Sequence, residues 1–247
     1  MVLNADYMIW YILTIALSLV GMFVSNRLQS KFKTYSMMGL RSNLSGKEVA
    51  ESMLKYYGIH DVRVQESQGF LSDHYNPLDK TVNLSPDVYR GRSVASAAVS
   101  AHECGHAVQH DTAYAFLQLR SKIVPVVKIA STAQQFLLLA AFMLANTFPS
   151  LLLITIFTFA ITTIFSLITL PVEFDASKRA LVWINEQGVV SGQEYTGAKD
   201  ALTWAGLTYL AQALSSLVML LYLVSVSYTH LRAHETDSYL VCRLLLE

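Results

Sequence analysis

The chain has 247 residues, of which 53% are hydrophobic and only 15% charged, against roughly 25% charged residues in an average soluble protein. Its formal net charge is zero at pH 7, which removes any overall electrostatic reason to expect nucleic-acid binding. The two cysteines, Cys104 and Cys242, are too few for a disulfide framework.

Residues 7–24, "YMIWYILTIALSLVGMFV", form an uncharged apolar segment that is long enough to cross a bilayer as a helix. A cleaved signal peptide is the alternative. However, no basic residue precedes the segment and no clear Ala-x-Ala site follows it. We therefore predict a first transmembrane helix at 7–24, followed by a polar region at 25–122.

The polar region carries signals for a helix, two strands and a second helix. "SGKEVAESMLKYY" opens with a capping box formed by Ser45 and Glu48, and Gly58 ends that helix. "HDVRVQES" and "KTVNLS" alternate like strands, and the turn signal "NPLD" precedes the second of them. Residues 93–110 are rich in alanine and free of proline, which predicts a helix.

The second helix contains "AVSAHECGHAVQH". His102 and His106 are four residues apart, so on a helix they share one face and can bind a single metal ion. Glu103 can reach a catalytic water without binding the metal, as in His-Glu-x-x-His peptidases, where the glutamate is the general base. Cys104 points away from His102, which predicts a buried small residue and not a ligand. A chance pattern on a surface helix is the alternative.

A catalytic zinc needs a third protein ligand and one position open to water. His110 lies one turn beyond His106, but its spacing does not fit the longer His-Glu-x-x-His-x-x-Gly-x-x-His pattern. We interpret His110 as a supporting or surface residue, with a ligand role as the alternative. His74, in the loop "SDHYNP", has a weaker claim to be a ligand. His74 and Tyr75 are also candidates for stabilising an oxyanion, or for simply capping that loop.

Three further spans complete the prediction. Residues 123–145 and 151–171 are apolar segments separated by "NTFPS", which indicates a tight hairpin. Residues 201–226 form the fourth span. The segment at 172–200 lies between the third and fourth spans, and the hairpin returns it to the same side of the membrane as the polar region.

Glu173 is the strongest candidate for the third ligand. It lies in "LPVEFDASKRA", where Pro171 is predicted to open a helix and to place Glu173 in its first turn. One alternative is a glutamate that merely favours a helix N-terminus. Asp175 is the other, and since residues two apart on a helix point about 200° from each other, only one of the two carboxylates can face the ion.

The basic residues predict the orientation. Only Asp6 is charged before the first span, whereas five basic residues follow it soon after. By the positive-inside rule, the amino terminus lies outside, and residues 25–122 and 172–200 lie in the cytoplasm. The five basic residues are Arg27, Lys31, Lys33, Arg41 and Lys47.

Two stretches, "SAHECGHAVQH" and "LPVEFDASKRA", together with four spans and a polar region after the first span, resemble the bacterial membrane zinc metallopeptidases of the YugP-like family. The resemblance covers about residues 7–226. The architecture is more remotely similar to the HtpX and CAAX prenyl protease group, in which a later glutamate completes the zinc site. In that group an aspartate follows the glutamate by four residues, where this chain has Ser177.

The resemblance implies a mainly α-helical, polytopic membrane protein with a small α+β, zincin-like catalytic region, in one domain at 1–226. It implies a zinc-dependent endopeptidase of the bacterial cell membrane. One Zn²⁺ ion would be held by His102, His106 and Glu173, with Glu103 as the general base. The expected partners are peptide or protein substrates, including membrane proteins, and the lipid bilayer, but no nucleic acid. An extended substrate is expected to add as a strand at the edge around "KTVNLS".

Two other classes of function remain open. A site-2-type intramembrane protease also has His-Glu-x-x-His, but it buries the motif in a span and pairs it with a later Asp-Gly segment, a dipeptide that this chain lacks. The other alternative is a non-catalytic membrane scaffold or metal-binding protein that retains the motif.

Residues 227–247, "SYTHLRAHETDSYLVCRLLLE", break the pattern of the preceding chain. They resemble the translated read-through of a sequencing adapter, so we predict a non-native tail. A second metal site formed by His230, His234 and Glu235 is the alternative, which this interpretation discounts.

Overall fold

The computed structural model describes residues 5–69, 72–144, 147–148 and 150–244. Within them, the protein is mostly helical and has one small three-stranded sheet, which confirms the predicted fold class. The helices are α1 Ala5–Ser36, α2 Gly46–Tyr56, α3 Pro86–Tyr89, α4 Val94–Asp111, α5 Ala115–Met143, α6 Ser150–Glu186 and α7 Gln193–Leu244. The strands are β1 Arg63–Glu66, β2 His74–Asn76 and β3 Thr81–Leu84.

Among the described residues, four helices (α1, α5, α6 and α7) are long and apolar enough to cross a membrane, which confirms the predicted number of spans. Each is longer than the segment predicted for it. Helix α6, for example, has 37 residues, about 55 Å at 1.5 Å per residue, whereas the hydrocarbon core is about 30 Å thick. Of the predicted hairpin "NTFPS", Thr147 and Phe148 lie between α5 and α6 and Ser150 begins α6, whereas Asn146 and Pro149 lie outside the described residues.

The predicted helix start at Pro171 is wrong, because Pro171 lies inside α6. A proline in a helix loses one backbone hydrogen bond and crowds the carbonyl four residues earlier. In an apolar environment, ending the helix would leave more backbone groups unsatisfied than keeping it, so spanning helices tolerate proline. Glu173 is therefore in a helix interior, which removes the alternative that it only favours a helix N-terminus.

The chain divides into two compact units. The first takes in the described residues of Met1–Leu19, Ile123–Leu167 and Gln212–Glu247. Within it, threonine hydroxyls on α6 donate to backbone carbonyls of other helices: Thr155 to Leu137 at 3.3 Å and Thr163 to Ser216 at 3.2 Å. Such interhelical hydrogen bonds are typical of helices packed in a membrane.

The second unit comprises Val20–Lys122 and Ile168–Ala211. It contains the sheet and α2 to α4, and its core includes Met53, Leu84 and Ile184, all fully buried. The predicted capping box is confirmed: the Glu48 N–H donates to Ser45 Oγ, and Glu48 Oε2 accepts from the Ser45 N–H at 2.7 Å. These bonds fix the start of α2.

Helix α4 is buried on almost all sides. A Cβ atom at Gly105 would lie 2.6 Å from the Ala176 carbonyl oxygen, so glycine allows the α4 and α6 backbones to approach closely. The prediction that Cys104 is a buried small residue is also confirmed. Its thiol donates to the Ala50 carbonyl at 3.5 Å, and burial raises the pKa of this thiol.

The sheet has the strand order β1-β3-β2. Strand β3 pairs parallel with β1 and antiparallel with β2. The predicted substrate edge around "KTVNLS" is therefore wrong, since β3 is the central strand and both of its edges are already paired. Strand β2 was predicted as a loop because three residues are too few to show an alternating pattern.

Candidate metal centre

Three side chains from two helices converge at one point in the second unit. His102 and His106 lie on α4, and Glu173 lies on α6. Glu173 Oε2 is 3.3 Å from His102 Nε2 and 3.5 Å from His106 Nε2. One nitrogen from each imidazole and one carboxylate oxygen all lie within 4.8 Å of one another, so together they could hold a metal ion.

The carboxylate of Glu173 has the surroundings that a metal ligand needs. The residue is only 2% exposed. Its Oε1 accepts a hydrogen bond from Arg120 Nη1 at 3.0 Å, but its buried Oε2 has no hydrogen-bond partner in the described part of the chain. A buried carboxylate oxygen without a partner is costly. Two imidazoles and a carboxylate are also a common ligand set for catalytic zinc.

His106 is held from the side opposite Glu173. Its Nδ1 lies 3.0 Å from Gln109 Oε1, and Gln109 Nε2 donates to the Val172 carbonyl at 2.8 Å and to Asp175 Oδ2 at 2.9 Å. Asp175 does not face the three converging side chains; it supports His106 through Gln109. Burial by itself lowers the pKa of His106, but contact with the Glu173 carboxylate, the charge of Glu103 and the contact with Gln109 together outweigh burial, and the net pKa is raised.

His102 has a different support. Its Nδ1 lies 3.1 Å from Ser177 Oγ. Ser177 stands four residues after Glu173, the position at which the HtpX and CAAX prenyl protease group is expected to have an aspartate. The imidazole of His102 is therefore supported by the Ser177 hydroxyl. The imidazole of His106 is supported by Asp175, through the amide of Gln109.

Glu103 is buried, and its Oε2 accepts a hydrogen bond from the backbone N–H of Tyr75 at 3.0 Å. This bond joins the motif helix to strand β2. The hydroxyl of Tyr75 lies 2.8 Å from His110 Nδ1. Burial, followed by the charges of Asp61 and Asp111, raises the pKa of Tyr75 to about 12, so this hydroxyl remains protonated at neutral pH.

The other two histidines considered as ligands are outside the cluster of converging side chains. His110 is exposed and contacts Tyr75, as expected for a supporting or surface residue. The ring of His74 is exposed, with Nδ1 2.7 Å from the Ser72 carbonyl oxygen. The sequence did not predict the roles of Gln109 and Arg120. Gln109 could have been found, because it follows His106 by three residues on the same helix face.

The fold and the cluster define a class: a protein with four candidate membrane spans in its described residues and a candidate His₂-carboxylate metal centre. Residues 10–228 match the family described as "Putative neutral zinc metallopeptidase". The chain is also 40% identical to the "Putative membrane protease YugP" of Bacillus subtilis (strain 168) over 219 residues, 89% of this chain and 96% of the relative. No solved structure matches the chain.

The chain therefore belongs to the family of putative neutral zinc metallopeptidases. The resemblance drawn from "SAHECGHAVQH" and "LPVEFDASKRA" is thereby confirmed.

Proposed function

We propose that this protein is a membrane-anchored, zinc-dependent endopeptidase. One Zn²⁺ ion would be held by His102, His106 and Glu173, and Glu103 would act as the general base. The observation that carries the proposal is the buried Oε2 of Glu173, which has no hydrogen-bond partner among the described residues and lies 3.3 Å and 3.5 Å from two imidazole nitrogens. Helix α4 is also not among the four candidate spans, which argues against a site-2-type protease with its motif inside the membrane.

A bound zinc ion supplies a Lewis acid that polarises the scissile carbonyl and acidifies a water molecule. The protein supplies the proton transfer. Glu103 Oε2 is held by the Tyr75 N–H, which leaves Oε1 to take a proton from the attacking water and return it to the leaving amine. Arg120 holds Oε1 of Glu173 and leaves Oε2 directed at the imidazoles.

Strand β2 offers a place for the substrate backbone. It is an edge strand that pairs only with β3 within the described residues, and its Tyr75 N–H points away from β3 toward Glu103. In an antiparallel strand, the N–H and C=O of one residue face the same side. Because Glu103 takes the Tyr75 N–H, the Tyr75 carbonyl is the group at this edge that could accept a hydrogen bond from an extended peptide, which would then lie beside the general base.

Metal analysis tests the proposal directly. Protein purified in detergent is expected to contain about one zinc ion per chain, measured by elemental analysis, and to cleave peptides in a quenched fluorescent peptide library. Chelation should remove both zinc and cleavage, and added zinc should restore both. Protein that cleaves equally well without zinc, or that cannot be loaded with zinc, would exclude the proposed function.

The active site is proposed to lie on the cytoplasmic side. Leu78 lies in the turn between β2 and β3, and Gln187 follows α6; both are exposed. In the background Cys242→Ser, Leu78→Cys and Gln187→Cys should each react with an impermeant maleimide only in inside-out vesicles. An amino-terminal epitope, expected outside, is the control. Labelling of the two cysteines from opposite sides would contradict the hairpin and the shared site.

The peptidase itself is proposed to comprise residues 1–226. The family match ends at residue 228, although α7 continues as a helix to Leu244. The interpretation of 227–247 as a non-native tail stays a prediction.

A further inference from the structure

Gln109 is a fully buried amide that joins the motif helix α4 to α6 beside the candidate metal centre. Its Nε2 lies 2.8 Å from the Val172 carbonyl oxygen and 2.9 Å from Asp175 Oδ2. The Arg179 Nε–H donates in turn to the same Asp175 oxygen at 2.6 Å. A carbonyl and an ionised carboxylate can only accept hydrogen bonds.

These two acceptors determine which way the amide points. In the reversed orientation, Oε1 would face two other acceptors, and neither contact could be a hydrogen bond. At a site with no solvent, two lost hydrogen bonds would be costly. Gln109 Oε1 therefore faces His106 Nδ1 at 3.0 Å, and because Oε1 can only accept, the hydrogen of that bond belongs to Nδ1.

We propose that Gln109 is a positioning residue that fixes the tautomer of His106, with the hydrogen on Nδ1 and the lone pair on Nε2. This inference rests on the proposed function, because Nε2 is the atom that faces Glu173 Oε2 at 3.5 Å. A neutral imidazole with this tautomer is ready to bind a metal ion, and its neighbour on Nδ1 also fixes the ring orientation.

The two imidazoles of the site are held differently. The Ser177 hydroxyl, 3.1 Å from His102 Nδ1, can either donate or accept, so it imposes no tautomer. The amide of Gln109 cannot turn to donate to His106, because both of its N–H groups already donate to acceptors on α6. Arg179 and Gln109 both donate to Asp175. Through these hydrogen bonds, the helix that carries Glu173 also determines the tautomer of His106.

The first test uses the metal-free wild-type protein. Imidazole ¹⁵N NMR, recorded as the pH is raised until His106 is neutral, should show that the neutral ring keeps its hydrogen on Nδ1; its signals are assigned by their loss in His106→Gln. A neutral His106 with the hydrogen on Nε2, or with a mixture of tautomers, would overturn the inference whatever its variants do.

The second test removes the acceptor. Gln109→Met keeps the length of the side chain but has no strong acceptor for Nδ1–H. We expect mixed tautomers and a zinc affinity lower by roughly 10–100-fold, the usual effect of losing a group that holds a ligand, measured by competition with a chromophoric chelator. Gln118→Met, an exposed glutamine on α5, is the matched control and should bind zinc like the wild type.

A conservative variant separates hydrogen bonding from the loss of charge at position 175. Asp175→Asn keeps an oxygen that can accept from Gln109 Nε2 and from Arg179 Nε, so the amide of Gln109 should keep its orientation. It should retain the wild-type tautomer and most of the zinc affinity. Wild-type tautomer and affinity in Gln109→Met would refute the role of Gln109. Wild-type protein that binds no zinc would instead refute the proposed function.

Discussion

Glu173→Ala is expected to abolish stable zinc binding. The substitution removes the only carboxylate among the three converging side chains, and two imidazoles alone are a poor site for a catalytic zinc ion, which normally has three protein ligands. The loss should exceed the roughly 10–100-fold effect of removing a group that only holds a ligand. Competition with a chromophoric chelator measures the affinity in detergent.

Two other carboxylates on α6 provide the comparison. Asp175 contacts Gln109 and Arg179 and does not face the imidazoles. Asp175→Ala should therefore weaken zinc binding by only about 10–100-fold. Glu186→Ala, at an exposed position at the end of the same helix, should leave it unchanged.

The structure predicts the order of the losses in zinc affinity: largest for Glu173→Ala, smaller for Asp175→Ala and none for Glu186→Ala. Glu173→Ala with normal zinc affinity, or Asp175→Ala with the larger loss, would require a different third ligand. If both variants and Glu186→Ala lost zinc together, the effect would come from α6 as a whole and not from one ligand. Circular dichroism of each variant distinguishes a lost helix from a lost ligand.

The features that the sequence predicted correctly are local. Ser45 and Glu48 of the capping box are three positions apart, and His102 and His106 are one helical turn apart, so spacing alone places them. The four spans are also local, since each is a continuous apolar segment. The choice of Glu173 depended on the family resemblance, because spacing only showed that Glu173 and Asp175 point in different directions.

The features that the sequence did not predict depend on contacts between distant residues. Arg120 contacts Glu173 across 53 positions, and Gln109 contacts Val172 across 63. No local pattern marks such pairs. Strand β2 exists because Tyr75 pairs with Val82 of β3 and donates to Glu103, and α6 passes through Pro171 because its surroundings disfavour exposed backbone. In each case, tertiary context decides what the local sequence leaves open.

Glu103→Gln is expected to leave zinc bound and to lower peptide hydrolysis by about 10²-fold or more, the usual contribution of a general base. A glutamine side chain has the same length, and its oxygen can still accept the hydrogen bond from the Tyr75 N–H that now holds Oε2. The geometry should therefore persist. What is lost is the proton acceptor, because the amide nitrogen of glutamine cannot take a proton from water.

Zinc content and cleavage must be measured on the same preparation, because the variant is expected to keep its zinc while its cleavage rate falls. Glu186→Gln is the matched control: it makes the same chemical change at an exposed position and should cleave the quenched peptide library at the wild-type rate. Zinc-loaded Glu103→Gln with full activity would remove Glu103 from the proposed mechanism and leave the ligand set intact. Loss of zinc together with activity would instead indicate that the bond between Glu103 and Tyr75, which joins α4 to β2, holds the imidazoles in place.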